Sequence, residues 1–133
     1  MIIPIVQKIR NVFKIREQEI FYSPTLDSNF ALYNISNEAY KYYITKIKNN
    51  ENEDLYTSRK KLSRNILCSE KLWSRDSNID RYAYGNLHIY VNKLNHEIVW
   101  LKNHKKLGNR LYISYNTIND KLKIELNEVL GLN

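Results

Sequence analysis

Glycine, proline, cysteine and methionine are all scarce in this sequence: three, two, one and one among 133 residues. So few glycines leave little material for a phosphate-cradling loop. P-loop, GxGxxG and GxSxG patterns are absent, and so are EF-hand and RNP signatures. Nucleotide cofactors and serine-hydrolase chemistry therefore have no support. The lone Cys68 cannot form an internal disulfide, and without a Cys-x-x-Cys partner it speaks against redox motifs and zinc ribbons. Preceded by Ile66 and Leu67, it reads as a buried thiol behaving as a small hydrophobe. No apolar run approaches the length of a bilayer span. The opening Met1–Val6 stops at Gln7 and Lys8, too short for a signal-peptide core. The expectation is a cytoplasmic protein (host cytoplasm for a virus) with no cofactor and no metal.

What is present is strongly biased. Asn occurs 18 times, Ile 16, Lys 14 and Tyr 11. All four have A/T-rich codons, which points to a phage, a virus or another A/T-rich replicon. Part of the lysine content follows from that bias. The excess of 21 Lys+Arg over 14 Asp+Glu, a net charge of +7, still favours nucleic acid or an acidic protein surface as partner, with a place in a larger assembly. At 133 residues, 43 % of them hydrophobic, the chain suits one domain, 1–133, that buries a core without staples.

The pattern predicts an α+β fold in which N-terminal helices pack on one face of a C-terminal antiparallel β-meander of about four to five strands. Residues 1–75 form the mainly helical half. Ile2, Ile5, Val6, Ile9, Val12 and Phe13 recur at helical spacing, and Glu19–Tyr22 reads as a short extended piece. Ser36 is a good N-cap for a helix striped by Tyr40, Tyr43, Ile44 and Ile47. A further helix opens after Asn52, striped by Leu55, Leu62 and Ile66. Residues 76–133 form the sheet half. Gly85-Asn86 signals a two-residue hairpin, and later segments alternate apolar and polar. On this reading Leu87, Ile89, Val91, Ile98, Trp100, Leu111, Ile113, Leu122 and Ile124 face the helices. His88, Tyr90, Glu97, Arg110, Tyr112, Ser114, Lys121 and Lys123 face outward.

An outward face bearing tyrosines, Lys and Arg suits nucleic acid, since aromatic rings stack bases and cations hold phosphates. Three basic clusters supply the candidate footprint: Lys8, Arg10 and Lys14; Arg59, Lys60, Lys61 and Arg64; and Lys102, Lys105 and Lys106, with Tyr90 and Tyr112 on the sheet. The leading expectation is a small binding or assembly protein without catalytic activity. The first helix, cationic and amphipathic, could lie on an anionic membrane surface, but such a stripe normally docks on the protein's own core, so a membrane role is not favoured. His88, His96 and His104 lack the one-face spacing of a metal site. A catalytic alternative uses His88, Glu97 and His104 as acid–base groups, with Arg110 stabilising a phosphorane. The helices-then-sheet layout is similar to that of barnase-like and RelE-like ribonucleases, although no motif of either is present. That resemblance implies a metal-independent, toxin-like endoribonuclease as the alternative.

Overall fold

The computed structural model describes residues 18–47, 50–104 and 118–132. Its first elements are strands. β1 (Ile20–Ser23) and β2 (Ser28–Ala31) form a two-stranded antiparallel hairpin. The turn is closed by Asp27 N–H donating to the Pro24 carbonyl at 3.2 Å, with Asp27 at a left-handed φ of 50°. The extended piece expected near Glu19–Tyr22 is thus real and paired.

β3 (Asn34–Ile35) leads through Ser36 into α1 (Asn37–Lys46). Ser36 Oγ accepts from the Ala39 N–H at 3.1 Å, satisfying one of the orphan donors of the first turn. Asp54 caps α2 (Leu55–Leu67) in the same way, accepting from the Thr57 N–H at 2.7 Å. Leu62 and Ile66 are buried as the stripe predicts, but Leu55 is exposed.

A five-stranded sheet follows, in the order β3-β7-β6-β5-β4, from β4 (Glu70–Leu72), β5 (Ile79–Tyr84), β6 (Leu87–Asn92) and β7 (Glu97–Asn103). Its pairs are antiparallel except β3–β7, which is parallel. Gly85, at φ +58°, takes the first position of the two-residue β5–β6 turn, where a type II′ hairpin needs glycine. The last described element is α3 (Asp120–Leu130), capped by Asn119 and ended by Gly131 at φ +68°.

Three expectations are corrected here. The segregation of N-terminal helices from a C-terminal meander fails, because strands begin at Ile20, helices are interspersed, and the described chain closes on a helix. With it goes the layout that carried the ribonuclease resemblance. The run around Leu122 and Ile124 is a helix, not a strand. Leu122, Leu126 and Leu130 are buried at intervals of four, while Ile124 is 63 % exposed. Residues at 122, 124 and 126 satisfy a two-residue period, yet 122, 126 and 130 also satisfy a helical one, and tertiary packing selected the second.

Trp100 is 44 % exposed, not inward. The register shifts between Tyr90↔Trp100 and Val91↔Ile98, leaving Val99 as the extra residue of a β-bulge. That extra residue keeps Ile98 and Leu101 buried and turns Trp100 toward the Tyr90 side. The first-helix stripe, Leu111 and Ile113 lie outside the described residues.

The core has two parts. Between the sheet and helices α1 and α2 lie Ala39, Tyr43, Leu62, Ile66, Leu87, Ile89, Val91, Ile98 and Leu101. Leu32, Cys68, Leu122, Leu126 and Leu130 join α3 to the β1–β2 hairpin and α2. Each fully buried aliphatic side chain contributes about 1.5–3 kcal/mol. Ser23 and Thr25 hydroxyls bond the Glu125 carboxylate at 2.6 and 2.7 Å, which ties the hairpin to α3.

Candidate nucleic-acid interface

Directly paired strand residues share a face, so register alone assigns the sheet's sides. Tyr82↔Ile89 and Tyr84↔Leu87 lie toward the helices. On the opposite face, Arg81 pairs with Tyr90 and Tyr90 pairs with Trp100, making one row across β5, β6 and β7. The next row is Ala83, His88 and Lys102. The Arg81 guanidinium carbon lies 5.7 Å from the Tyr90 ring centroid, a cation–π contact. The Trp100 ring sits 5.8 Å from that of Tyr42, tilted by 48°. Lys102 is exposed. The row therefore offers a cation and two aromatic rings, with a second cation, Lys102, beside Trp100 in the next row.

His88, expected in solvent, is buried with no exposed surface. Arg81 lies against it, approaching His88 Nδ1 with Nε at 3.2 Å and Nη2 at 2.8 Å. The His104 ring lies 4.0 Å away, centroid to centroid. Burial, then the neighbouring His104 and Arg81, push the His88 pKa down to about 4. His104 is lowered as well, by burial and by the charges of Arg81 and Lys102. His88 is thus neutral near neutrality, and the guanidinium donating to Nδ1 leaves its proton on Nε2. It orients Arg81 and is not a solvent-facing acid.

Glu97 does not join this group. It pairs with Asn92, four residues along β6 from His88, about 14 Å at the usual rise per residue. The pair His88–His104 forms, but the expected triad with Glu97 does not. Among the described residues no group of three or more His, Cys, Asp or Glu could hold a metal ion.

The α2 cluster divides. Arg59 donates to the Tyr33 carbonyl at 2.9 Å and to Asn34 Oδ1 at 3.3 Å. Lys60 donates to the Leu130 carbonyl at 2.8 Å, at the negative end of α3, and lies 4.7 Å from the Tyr56 ring centroid. Lys61 pairs with Glu53. Arg64 bonds Asn65 and Asn127. Only Lys61 and Arg64 converge, meeting Lys123 of α3 in one cavity. Lys8, Arg10, Lys14, Lys105, Lys106, Arg110 and Tyr112 lie outside the described residues.

Sequence reasoning missed Arg81, Trp100 and Lys123. Arg81 was legible in principle, since it is cationic and falls on the same side as Ala83 in β5. Trp100 was hidden by the bulge, and Lys123 by the mistaken strand.

A protein-family model described as YorE matches residues 33–126, more than half of the chain. That span contains the Arg81–Tyr90–Trp100 row and all three cavity cations. No curated protein and no solved structure matches the chain.

Proposed function

The chain belongs to the YorE family, and from that premise and the sheet geometry we propose that it is a phage or viral binding protein that holds single-stranded nucleic acid on the face of its sheet that carries Tyr90 and Trp100. The observation that carries this reading is the row of Arg81, Tyr90 and Trp100, with Lys102 exposed in the next row. Bases stack on aromatic rings whatever their identity, and nearby cations meet the phosphates between them. The net charge of +7 supports the same partner. The A/T-rich composition agrees with a phage source, and the host cytoplasm is where such a protein would meet its strand. Among the described residues, no helix is long and apolar enough to cross a membrane.

The catalytic alternative receives no comparable support. Its acid–base pair would need Glu97 near the histidines, and the buried His88 accepts a hydrogen bond from Arg81 in its neutral form.

Fluorescence anisotropy with labelled RNA and DNA oligonucleotides tests the reading. Each base–aromatic stack is worth about 1–3 kcal/mol. Trp100→Ala and Tyr90→Ala should therefore each weaken single-strand affinity by about 5- to 150-fold. Lys102→Gln should lower the slope of log affinity against log salt by about one contact. Duplex should bind more weakly than single strand. Affinity indifferent to both aromatic substitutions in folded variants rules this face out.

A further inference from the structure

On the other side of the sheet, where α1, α2, α3 and the β5–β6 turn meet, lies a cavity of about 610 Å³. That volume is within the range of small-molecule sites, about 300–1,000 Å³. Lys61 and Arg64 of α2 and Lys123 of α3 line it, with the buried amides of Asn50 and Asn65, and no described carboxylate does. Glu53 matches the charge of Lys61.

Arg64 is held differently. Its Nε and Nη2 donate to Asn65 Oδ1 at 3.1 and 2.9 Å, and its Nη1 donates to Asn127 Oδ1 at 2.9 Å. These acceptors are neutral, so they fix the guanidinium without cancelling its charge. Of its five N–H donors these bonds use three, leaving one on each terminal nitrogen. Lys123 Nζ lies 5.4 Å from the Tyr84 ring centroid, again with no described carboxylate partner. Tyr84 also lines the cavity, and its hydroxyl is buried with no hydrogen-bond partner among the described residues. A buried polar group in that state is costly unless a ligand or water satisfies it. Tyr43, Leu87 and Leu132 supply an apolar wall.

We propose that this cavity binds a phosphate monoester of nucleotide size, its phosphate between Arg64 and Lys123 and its body against Tyr43, Tyr84 and Leu87. A dianionic phosphate suits a planar fork and a point charge that line one cavity with no described carboxylate between them. The site is on the opposite face from the aromatic row, so it stands or falls independently of the strand-binding reading. Such a phosphate has two sources, a free mononucleotide or the 5′-phosphorylated end of a strand.

Isothermal titration of the full chain uses AMP, adenosine and inorganic phosphate, and an oligonucleotide with and without a 5′-phosphate. AMP should bind, inorganic phosphate more weakly, and adenosine at least about tenfold more weakly, as expected for loss of charge-assisted hydrogen bonds. Lys123→Glu should abolish the difference between AMP and adenosine. Arg64→Lys, which keeps the charge but loses the fork, should weaken AMP while leaving adenosine unchanged. Trp100→Ala should leave AMP binding as it was. A phosphorylated strand that gains affinity over its unphosphorylated twin, with the gain lost in Lys123→Glu, assigns the strand end as the source; a gain for AMP alone assigns the free nucleotide. The proposal is overturned if neither phosphorylated probe binds, if adenosine equals AMP, if inorganic phosphate equals AMP, or if folded Lys123→Glu binds AMP unchanged.

Discussion

Acid should destabilise this protein through one buried imidazole, and the size of the effect follows from its surroundings. His88 is fully buried, in contact with Arg81 and beside His104, with a pKa pushed down to about 4 from 6.5. Between those values the unfolded chain takes up a proton that the folded chain refuses. Stability from this residue is therefore complete above pH 6.5 and is lost as pH falls toward 4. Linkage gives a loss relative to pH 7 of about 2 kcal/mol at pH 5 and about 3 kcal/mol at pH 4. Other groups add to the acid limb. Hydrogen bonds from Ser23 and Thr25 hold the Glu125 carboxyl below its usual range, and those from Thr57 do the same for Asp54. A difference measurement isolates the imidazole. His88→Gln keeps a carbonyl acceptor for the Arg81 guanidinium but does not titrate. Urea denaturation of both proteins at pH 7, 5 and 4 should show the wild type losing about 2–3 kcal/mol more than the variant across that range. Parallel losses in the two proteins would mean that His88 is not held neutral by burial, and its assignment as the support of Arg81 would fall.

Three further outcomes check the fold. Leu126→Ala should cost about 3–5 kcal/mol in chemical denaturation, whereas Ile124→Ala, on the exposed side of α3, should stay within about 0.5 kcal/mol; the reverse order would restore the strand that the alternation suggested. Gly131→Ala meets no atom within 4 Å but places a side chain at φ +68°, so it should lower stability by about 1 kcal/mol, and Gly131→Asn by less. Burial holds the Cys68 thiol up at about 11, so alkylation at pH 8 should be slow in native protein and fast in urea, and equal rates would place the thiol at the surface.

What was legible in the sequence was local. Ser36 and the acidic start near Asp54 announce α1 and α2 because a cap is satisfied within three residues. Gly85-Asn86 announces the β5–β6 hairpin because one positive φ decides the turn. The β3–β7 pairing joins Asn34 to Glu97 and Ile35 to Ile98, and no short-range pattern encodes a parallel contact across that separation. The run Ile98–Leu101 is apolar throughout, so nothing in its composition says where a residue is skipped, and the bulge decides which of its side chains meets solvent. Tyr90 could be placed outward from alternation alone, but its row is completed by Arg81 and Trp100, and Trp100, like Lys102 two residues on, takes its side from the bulge.

Neutral acceptors hold an arginine at each of the two candidate sites, as they also hold Arg59 through the Tyr33 carbonyl and Asn34 Oδ1. The ion pairs formed among the described residues are both made by lysines, Lys61 with Glu53 and Lys71 with Asp80. Arg64 is instead positioned by two asparagine oxygens, and Arg81 donates to an imidazole nitrogen. A carboxylate would orient a guanidinium equally well but would cancel the charge a phosphate needs. A neutral acceptor fixes the fork without adding a negative charge of its own. His88 can play this part only while it is unprotonated, because a charged imidazole has no lone pair to offer Arg81 and repels it. Burial therefore contributes twice on the sheet face: it keeps the imidazole neutral, and that neutrality keeps the guanidinium beside Tyr90. At the cavity no proton is involved, since an asparagine oxygen accepts at any ordinary pH. On the strand-binding reading, affinity should weaken on acidification as His88 ceases to accept from Arg81, while the amide-held Arg64 keeps its place.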